Sequence, residues 1–500
     1  MNLDPEVCYR IILSRDARYD GKFFTGVMTT GIYCRPICPA RTPKRENVRF
    51  FACAAAAEAA GLRPCKRCRP ETAPGTPAWN GTSSSVSRAL RLIEEGYLDE
   101  HSLEQLASLL GIGSRHLRRL FVEHLGAPPN AIAQSRRVHF AAKLLAETNL
   151  PVTHVAFGSG FGSVRQFNTA FRKVFGEAPS VVRSSHGDVR RKGGTTLSKV
   201  PARRTVQLTL PYRSPYQWEP LLSFLRQRAI PGVEEVDDSS YRRSIAAGDE
   251  VGLLEVSQAL NRAAALSVTV TGISSRRLFR IVERVRRVFD LDADPFAVAA
   301  HLAADSRLAP LVLAVPGLRI PSVWDPFEAA IRALLGQQIS VVGAITMAGR
   351  LVRLAGTSMA EFGAGSIQYL FPAASAVAAA DLSSLGVPKA RSESIVALSR
   401  EVAAGRIRFD AYSSVDSVTG ALVGLRGIGP WSASYVALRG LGDPDAFPES
   451  DLGITKALTQ LRYPAERTAR SAAIERWRPW RGYAALYLWN SLSLGQEDMK

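Results

Sequence analysis

Hydrophobic residues recur along the chain at two different spacings. In residues 205–210, TVQLTL, apolar and polar side chains alternate, which predicts a β-strand. From about residue 290 onward, apolar residues recur every three or four positions, as in DPFEAAIRALLGQQISVVGAITMAGRLVRL at 325–354. That spacing predicts amphipathic helices. The C-terminal part is therefore predicted to be a small α+β unit followed by an all-helical domain.

An internal repeat lies further toward the N-terminus. The segments LEQLASLLGIGSRHLRRLF (103–121) and VTHVAFGSGFGSVRQFNTAF (152–171) superpose at an offset of 49 residues. Each copy predicts a helix, a tight glycine turn and a second helix, with Ser114 or Ser163 as the cap of the second helix. A small residue followed four positions later by glycine lets two helices cross closely, which is the helix-turn-helix pattern.

Two stretches without apolar periodicity predict linkers. Residues 70–85 are rich in Pro, Gly, Ser and Thr, and residues 184–204 are basic with a glycine pair. At 500 residues the chain is too long for one hydrophobic core. The predicted segments are 1–75, 83–186, a basic linker at 187–204, 205–290 and 291–500.

The charge of the chain points to a polyanionic partner. The net charge is +18, and Lys and Arg outnumber Asp and Glu by 29 to 16 in residues 1–200. Such a surface attracts nucleic acid. No apolar run approaches the roughly 20 residues needed to cross a bilayer, and the charged N-terminus lacks the apolar core of a signal peptide. We therefore expect a cytoplasmic protein with no membrane partner.

All six cysteines lie in the first 68 residues, which favours a metal site over a disulfide scaffold. Four of them form two close pairs, a pattern that suits tetrahedral Zn²⁺. The expected ligands are Cys34, Cys38, Cys65 and Cys68. Cys8 and Cys53 lie outside the pairs and are expected to be buried apolar residues. A purely structural zinc ribbon is the simplest interpretation of this pattern alone.

The residues around these cysteines favour a more specific interpretation. The stretch DARYDGKFFTGVMTTGIYCRPICPARTPKRENVRFF, with AAGLRPCKRCRPE, resembles the N-terminal domain of the Ada family of adaptive-response proteins over roughly residues 4–72. The resemblance implies that Cys34 accepts a methyl group from a DNA methylphosphotriester and stays bound to a structural and reactive zinc ion. Methylation removes one negative charge beside the DNA, so the product should bind DNA more tightly. Nearby Arg35 and Arg41 are candidate phosphate contacts, as are Lys44 and Arg45.

The repeat segment resembles the AraC family of regulators. The matching residues are LASLLGIGSRHLRRLF and VAFGSGFGSVRQFNTAFRKVFGEAPSVVR. The resemblance implies two recognition helices in successive major-groove segments, promoter binding, and RNA polymerase as a partner. The candidate DNA contacts are Arg115, Arg118, Arg119, Arg165, Gln166 and Asn168. No Pro-Cys-His-Arg methyltransferase site occurs, so a second methyl-accepting cysteine for guanine O6 is absent from this sequence.

A third motif, LRGIGPWSASYVALRGLGDPDAFPESD, lies at 425–451. The turn at Gly427 and Gly429 exposes backbone N–H groups that can hold a DNA phosphate. Asp451 follows Trp431 by 20 residues, and together these features resemble the helix-hairpin-helix glycosylase superfamily. The resemblance implies that Asp451 is the catalytic residue. Lyase-type members carry a lysine where this chain has Trp431, so a monofunctional enzyme is expected.

Residues 205–500 as a whole resemble the AlkA type of 3-methyladenine DNA glycosylase. The matches include YQWEPLLSFLRQRAI, VFDLDADP, DPFEAAIRALLGQQIS and ERWRPWRGYAALYLWN. The resemblance implies a pocket for a flipped base and a residue, Gln338, that wedges into the DNA. The implied pocket residues are Phe224, Trp431, Tyr435 and Trp489. Their electron-rich faces are expected to attract a cationic alkylated base.

The sequence therefore predicts a multidomain, mainly α protein. Its expected parts are a small zinc α+β domain, a helical domain with two helix-turn-helix units, an α+β (TBP-like) subdomain and an all-helical helix-hairpin-helix glycosylase domain. The predicted function is repair of alkylated double-stranded DNA combined with promoter regulation. Two alternatives stay open: a transcription regulator whose glycosylase-like domain only binds damaged DNA, and a glycosylase whose N-terminal half only delivers it to damage.

Overall fold

The computed structural model is divided into two compact units. It describes residues 4–73, 84–185, 205–260, 262–362, 365–409 and 413–497. One unit is Met1–Arg213 with Asn261–Glu283, and the other is Ser214–Leu260 with Arg284–Lys500. The predicted linker at 187–204 lies outside the described residues. Within the described ranges, no helix combines the length and the apolar character needed to cross a membrane.

The first unit begins with a four-stranded sheet of order β3-β1-β2-β4. Its strands are β1 (Phe24–Val27), β2 (Ile32–Cys34), β3 (Val48–Phe51) and β4 (Arg63–Pro64), accompanied by helices α1 (Pro5–Ser14) and α2 (Ala54–Ala59). β2 pairs in parallel with β4, with Tyr33 opposite Pro64. Because each strand leads into a predicted zinc ligand, this pairing brings Cys34 and Cys65 to the same end of the sheet.

Helices follow in the same unit and confirm the predicted repeat. They are α3 (Ser84–Glu94), α4 (Tyr97–Glu100), α5 (Leu103–Leu109), α6 (Ser114–Leu125), α7 (Pro129–Glu147), α8 (Val152–Gly158), α9 (Val164–Phe175) and α10 (Pro179–Ser185). The helix pairs α5–α6 and α8–α9 each turn at a glycine with positive φ, 70° at Gly111 and 84° at Gly160. Both positions need a conformation that glycine adopts without a steric penalty.

The two predicted serine caps have different outcomes. Ser163 caps α9, and its hydroxyl accepts a hydrogen bond from the Gln166 backbone N–H at 3.1 Å. The prediction for Ser114 is wrong, because Ser114 is already the first helical residue of α6 and the cap is Gly113. A side chain inside the first turn is not placed to accept from the N2 or N3 amide, so this helix begins without a side-chain cap.

Strands β5 (Thr205–Pro211) and β9 (Ala265–Thr271) pair antiparallel in the first unit. The side chains of β5 alternate between exposed and buried positions over most of its length, which confirms the strand predicted from TVQLTL. Helix α12 (Leu278–Val288) follows β9.

The second unit begins with helix α11 (Trp218–Arg226) and an antiparallel meander of β6 (Glu234–Val236), β7 (Ser240–Ala247) and β8 (Glu250–Gln258). Helices then dominate: α13 (Pro295–Leu302), α14 (Ala309–Ala314), α15 (Pro326–Leu335), α16 (Val341–Ala355), α17 (Ala374–Ala379), α18 (Lys389–Ala403), α19 (Val415–Val423), α20 (Pro430–Arg439), α21 (Leu452–Gln460), α22 (Arg467–Glu475) and α23 (Arg481–Glu497). The predicted helical character is confirmed, apart from the two-residue strands β10 (Thr357–Ser358) and β11 (Tyr369–Leu370).

A buried ionic network joins the meander to α15. The fully buried Glu328 accepts hydrogen bonds from Arg243 at 2.9 Å and from Arg332 at 3.0 Å. Burial disfavours the charged form of neighbouring Glu234. The positive charges of Arg332 and Arg243 outweigh this effect of burial and lower the pKa of Glu234 to about 2. Arg332 also donates to the backbone carbonyl of Arg228 at 2.6 Å. The network therefore fixes the backbone that follows α11, close to a predicted pocket residue.

Candidate functional site

The four predicted zinc ligands form one cluster. Their Sγ atoms all lie within 4.8 Å of one another, and the Sγ atoms of Cys38 and Cys65 are 4.0 Å apart. A tetrahedron with Zn–S bonds of about 2.3 Å has sulfur–sulfur edges of about 3.8 Å, so the cluster fits a single Zn²⁺. The Cys65 backbone N–H donates to the Tyr33 carbonyl at 3.0 Å, and the Cys38 N–H donates to the Arg35 carbonyl at 3.1 Å. Sheet pairing and one tight turn thus assemble the site.

The other two cysteines lie outside this cluster. Cys8 is buried in the core beside α1, and burial raises its pKa to about 11. Cys53 is half-buried; burial raises its pKa to about 11, and its thiol donates to the Leu125 carbonyl at 3.2 Å. Neither thiol is placed to bind the metal.

Arg35, a predicted phosphate contact, is tied into the loop that carries the cysteines. Its Nε donates to Asp20 at 2.8 Å, and its Nη1 donates to the Cys68 carbonyl at 3.1 Å and to the Thr72 hydroxyl at 2.9 Å. Its backbone N–H donates to the Cys68 sulfur at 3.3 Å. The Arg35 side chain is only 11% exposed. It supports the loop in this arrangement, and a phosphate contact would require its pair with Asp20 to open.

A cavity of about 700 Å³ opens beside Cys34 and is lined with basic side chains. Arg41, a predicted phosphate contact, is exposed and lies in the wall of this cavity. Three further basic residues of the wall were not predicted, although they lie close to two zinc ligands in GLRPCKRCRP: Arg63, Lys66 and Arg67. Phe175, the last residue of α9, also lines the cavity. Cys34, the predicted methyl acceptor, therefore faces a cationic recess of the kind that would hold a phosphate group.

A buried cluster joins β2, the strand that ends at Cys34, to the helix-turn-helix part. The Tyr33 hydroxyl, next to Cys34, donates to Glu58 at 2.9 Å, and His139 Nε2 on α7 lies 2.7 Å from the same carboxylate oxygen. Burial disfavours the charged form of His139, but the Glu58 carboxylate outweighs this effect and raises its pKa. The zinc-binding part therefore packs directly against the long helix that links the two helix-turn-helix units.

The predicted DNA contacts on α6 and α9 are accessible. Five of the six side chains are exposed, and Asn168 is half-buried. Arg119 also donates to His116 Nδ1 at 3.0 Å. Their positions permit groove contacts, and their individual roles stay predictions.

In the second unit, Asp451 is held in a fixed orientation by three donors. The Trp431 indole N–H donates to Oδ2 at 3.0 Å, and the Trp489 indole N–H donates to Oδ1 at 2.9 Å. Asp451 also caps α21, because Oδ1 accepts from the Ile454 backbone N–H at 3.1 Å. The half-buried Asp451 carboxylate is thus held in one orientation by the surrounding protein.

The other acidic residues of the same loop are engaged elsewhere. Asp445 pairs with Arg481 at 3.0 Å, and the Glu449 carboxylate accepts from the Ser471 hydroxyl at 2.8 Å. Asp451 differs from them in that its contacts are to the two tryptophans of the predicted pocket.

The four predicted pocket aromatics are half-buried and connected by contacts. Trp431 stacks on Tyr435 with ring centroids 5.5 Å apart, and the Tyr435 hydroxyl accepts from Arg439 at 3.1 Å. The Arg439 guanidinium also lies 4.6 Å from the centroid of Phe224. Trp489 joins the group through Asp451. The structure therefore brings together residues from α11, α20 and α23 that are far apart in sequence.

Two arginines at this site were missed by sequence analysis. The guanidinium of Arg228 lies 3.7 Å from the Phe224 centroid, so both Arg228 and Arg439 approach that ring. Burial lowers the pKa of Arg439 to about 10, which leaves it charged at neutral pH. The Phe224 ring already has two cationic partners and the Tyr435 ring has one in Arg439, so the expected attraction of a cationic base falls mainly to Trp431 and Trp489. No sequence motif marks these arginines.

The hairpin and the predicted wedge are both exposed. Gly427 has φ of 86°, and a Cβ there would lie 2.1 Å from the Ser394 hydroxyl oxygen, so glycine is required. Gly429 precedes α20 and has open space around it. Gln338 is exposed and has φ of 56°. These features leave backbone N–H groups at the start of α20 accessible, as the phosphate-binding prediction requires.

The fold and the two sites define a multidomain, mainly α protein with a four-cysteine metal centre, two helix-turn-helix units and a carboxylate held between two tryptophan indoles. Three family models match parts of this chain. They are the metal binding domain of Ada at residues 7–71, a helix-turn-helix domain at 106–185 and the AlkA N-terminal domain at 207–325. The relative named "Probable bifunctional transcriptional activator/DNA repair enzyme AlkA" from Mycobacterium tuberculosis is 43% identical over 492 residues, covering 98% of this chain and 97% of the relative. The chain belongs to this family of bifunctional transcriptional activator/DNA repair enzymes.

Two further relatives match separate parts of the chain. DNA-3-methyladenine glycosylase 2 of Escherichia coli is 34% identical over 286 residues, 56% of this chain and 96% of the relative. The bifunctional transcriptional activator/DNA repair enzyme Ada of E. coli is 40% identical over 153 residues, 31% of this chain and 42% of the relative. The family assignment confirms the predicted combination of parts, whereas the predicted domain boundaries stay predictions.

Proposed function

We propose that this protein repairs alkylated DNA in two ways and regulates the response to that damage. It accepts a methyl group from DNA methylphosphotriesters on Cys34 and excises N-alkylated purines such as 3-methyladenine. The observation that carries the excision activity is the Asp451 carboxylate held between the indoles of Trp431 and Trp489. The helix-turn-helix pair binds promoter DNA, with RNA polymerase as the expected partner in the cytoplasm.

The methyl transfer is a nucleophilic substitution at the methyl carbon. The Cys34 thiolate forms a sulfur–carbon bond, the carbon–oxygen bond to the phosphotriester breaks, and the phosphodiester leaves as an anion. Cys34, Cys38, Cys65 and Cys68 would hold the Zn²⁺ ion, which would keep the sulfur deprotonated at neutral pH. Basic residues of the adjoining cavity position the phosphate. The thioether is stable, so each chain transfers one methyl group, and the loss of a negative charge favours DNA binding afterwards.

Base excision needs a different kind of help from the protein. An N-alkylated purine carries a positive charge and departs as a neutral base, so no strong general acid is required. Asp451 stabilises the positive charge that develops on the sugar and orients the attacking water. Since tryptophan occupies position 431, no amine is available there to form a Schiff base. The products are a free base and an unbroken strand with an abasic site.

The experiment uses one duplex that carries both methylphosphotriesters and N-methylpurines. Wild-type protein should release methylated base, leave the strand intact and give no covalent complex with borohydride. Mass spectrometry should find one added methyl group on the peptide that contains Cys34. Cys34→Ser should lose the methylated peptide but retain base release, and Cys53→Ser, outside the metal cluster, should retain both. Binding of the damaged duplex without base release would instead support a regulator whose glycosylase-like domain only binds damage.

A further inference from the structure

An exposed tip lies near the hairpin and includes the end of the loop between α15 and α16 and the first two residues of α16. Five consecutive residues, 338–342, are exposed. Three of them are large apolar residues: Ile339, Val341 and Val342 are 41%, 43% and 75% exposed. Apolar side chains of this kind insert between base steps in proteins that unstack DNA. The tip therefore has the chemistry of a DNA wedge along its whole length, beyond the single residue Gln338.

The residue before the tip is attached to the hairpin by its side chain. The half-buried Gln337 donates from Nε2 to the Gly427 carbonyl at 3.0 Å and to the Ser432 hydroxyl at 3.0 Å. A carbonyl oxygen can only accept, so the amide must present its nitrogen to Gly427. The backbone carbonyl of Gln337 accepts a hydrogen bond from the Arg391 guanidinium at 2.6 Å. One residue thus joins the base of the tip to the hairpin turn and to α18.

This attachment matters because the two elements act on neighbouring parts of the DNA. The hairpin at Gly427 and Gly429 is placed to hold a backbone phosphate, whereas the tip must enter the base stack close to that phosphate. Unstacking a base costs a few kcal/mol, and a wedge supplies that energy only if its own position is fixed in advance. Without the Gln337 amide, the tip would lose its side-chain connection to the hairpin and would have to be ordered during binding.

We propose that Gln337 is a positioning residue for base flipping, which sets the tip at 338–342 relative to the phosphate-binding hairpin. This inference rests on the proposed excision activity. Gln337 lies outside the Asp451 pocket contacts described above, so it acts on extrusion of the base and not on cleavage of the glycosidic bond. Its loss should be severe when the damaged base is paired and stacked, and small when the base is already unstacked.

The test compares Gln337→Met and Gln337→Glu with wild type under single-turnover conditions. Met removes both hydrogen bonds, and Glu keeps the side-chain shape but points an acceptor at the Gly427 carbonyl. Losing two hydrogen bonds of ordinary strength should slow excision from a paired duplex about 10-fold. The same variants should lose less than about 3-fold on a lesion in an unpaired bulge. Gln460→Glu, an exposed residue on α21, is the matched control and should behave as wild type.

A fluorescent 2-aminopurine beside an abasic-site analogue reports unstacking independently of catalysis. The wild-type increase in fluorescence should be largely lost in both Gln337 variants, while affinity for undamaged duplex is retained. Equal losses on paired and bulged lesions, or unchanged excision and fluorescence, would overturn the proposal. If wild type released no base at all, the proposed excision activity would fail, and the fluorescence comparison alone would then decide the role of Gln337. Thermal melting checks folding, and the isosteric Glu variant decides the result if Met is unstable.

Discussion

Replacing Asp451 with asparagine tests the centre of the excision site. The two side chains have nearly the same shape, so the change removes a negative charge with little change in volume. Three N–H donors, from Trp431, Trp489 and Ile454, point at the two carboxylate oxygens. Asparagine offers one oxygen and one NH₂ group, so at least one of these donors must face another donor. The variant therefore loses both the charge and part of its fixed orientation.

The size of the effect follows from the position of the carboxylate. Asp451 is half-buried, which corresponds to an effective dielectric constant of about 20. A unit positive charge about 4 Å away is then stabilised by about 4 kcal/mol. Since 1.36 kcal/mol corresponds to a factor of ten, excision should slow about 1000-fold. Binding of DNA with an abasic-site analogue should change little, because the hairpin and the aromatic residues are unaltered.

The assay measures the single-turnover rate of base release from a duplex with one N-alkylated purine. Glu449→Gln is the matched control, because it removes a charge two residues away and its amide oxygen can still accept from Ser471. The control should keep a rate close to that of wild type. A rate for Asp451→Asn above a tenth of the wild-type rate would refute the electrostatic role. An equal loss of rate in Glu449→Gln would show that the effect is not specific to Asp451.

Three further predictions concern the first unit. Cys38→Ser should lose its zinc in metal analysis and unfold the surrounding segment, since structural zinc contributes on the order of 10 kcal/mol; a full equivalent of zinc would contradict the ligand set. Asp20→Asn removes the charge that pairs with Arg35, so it should destabilise the zinc-binding segment by about 3 kcal/mol and lower the melting temperature of that segment. An unaltered melting curve would contradict this prediction. The pKa of His139 is raised, so its ion pair with Glu58 stabilises the folded state. This stabilisation is fully present below pH about 6.5 and is lost as the pH rises through the raised pKa of His139. Amide exchange in α7, corrected for its intrinsic rate, should therefore quicken toward alkaline pH, and Glu58→Gln should abolish that dependence; equal dependence in the variant would rule out the pair.

The kinds of domain in this protein and its candidate reactive groups could be predicted from the sequence alone. The four cysteines are spaced as two local pairs, the helix-turn-helix units repeat at a fixed offset, and Asp451 follows the glycine hairpin within one continuous motif. Such features are visible in sequence because their geometry is set by a few adjacent residues. Helical periodicity likewise predicted the C-terminal helices. The cap of α6 was predicted wrongly because serine is favoured over glycine at an N-cap, whereas α6 begins one repeat position earlier than α9.

The contacts between distant residues became visible in the folded structure and could not be predicted from the sequence. Arg228 and Arg439 approach the Phe224 ring, and Gln337 joins its tip to a hairpin about ninety residues further along the chain. Arg35 lies beside a predicted methyl acceptor, yet its guanidinium is engaged by Asp20. These contacts join residues from separate elements, and each depends on how helices and strands pack rather than on local spacing. The charge and hydrogen-bonding capacity of a side chain follow from its residue type, but the residues that it contacts depend on tertiary packing.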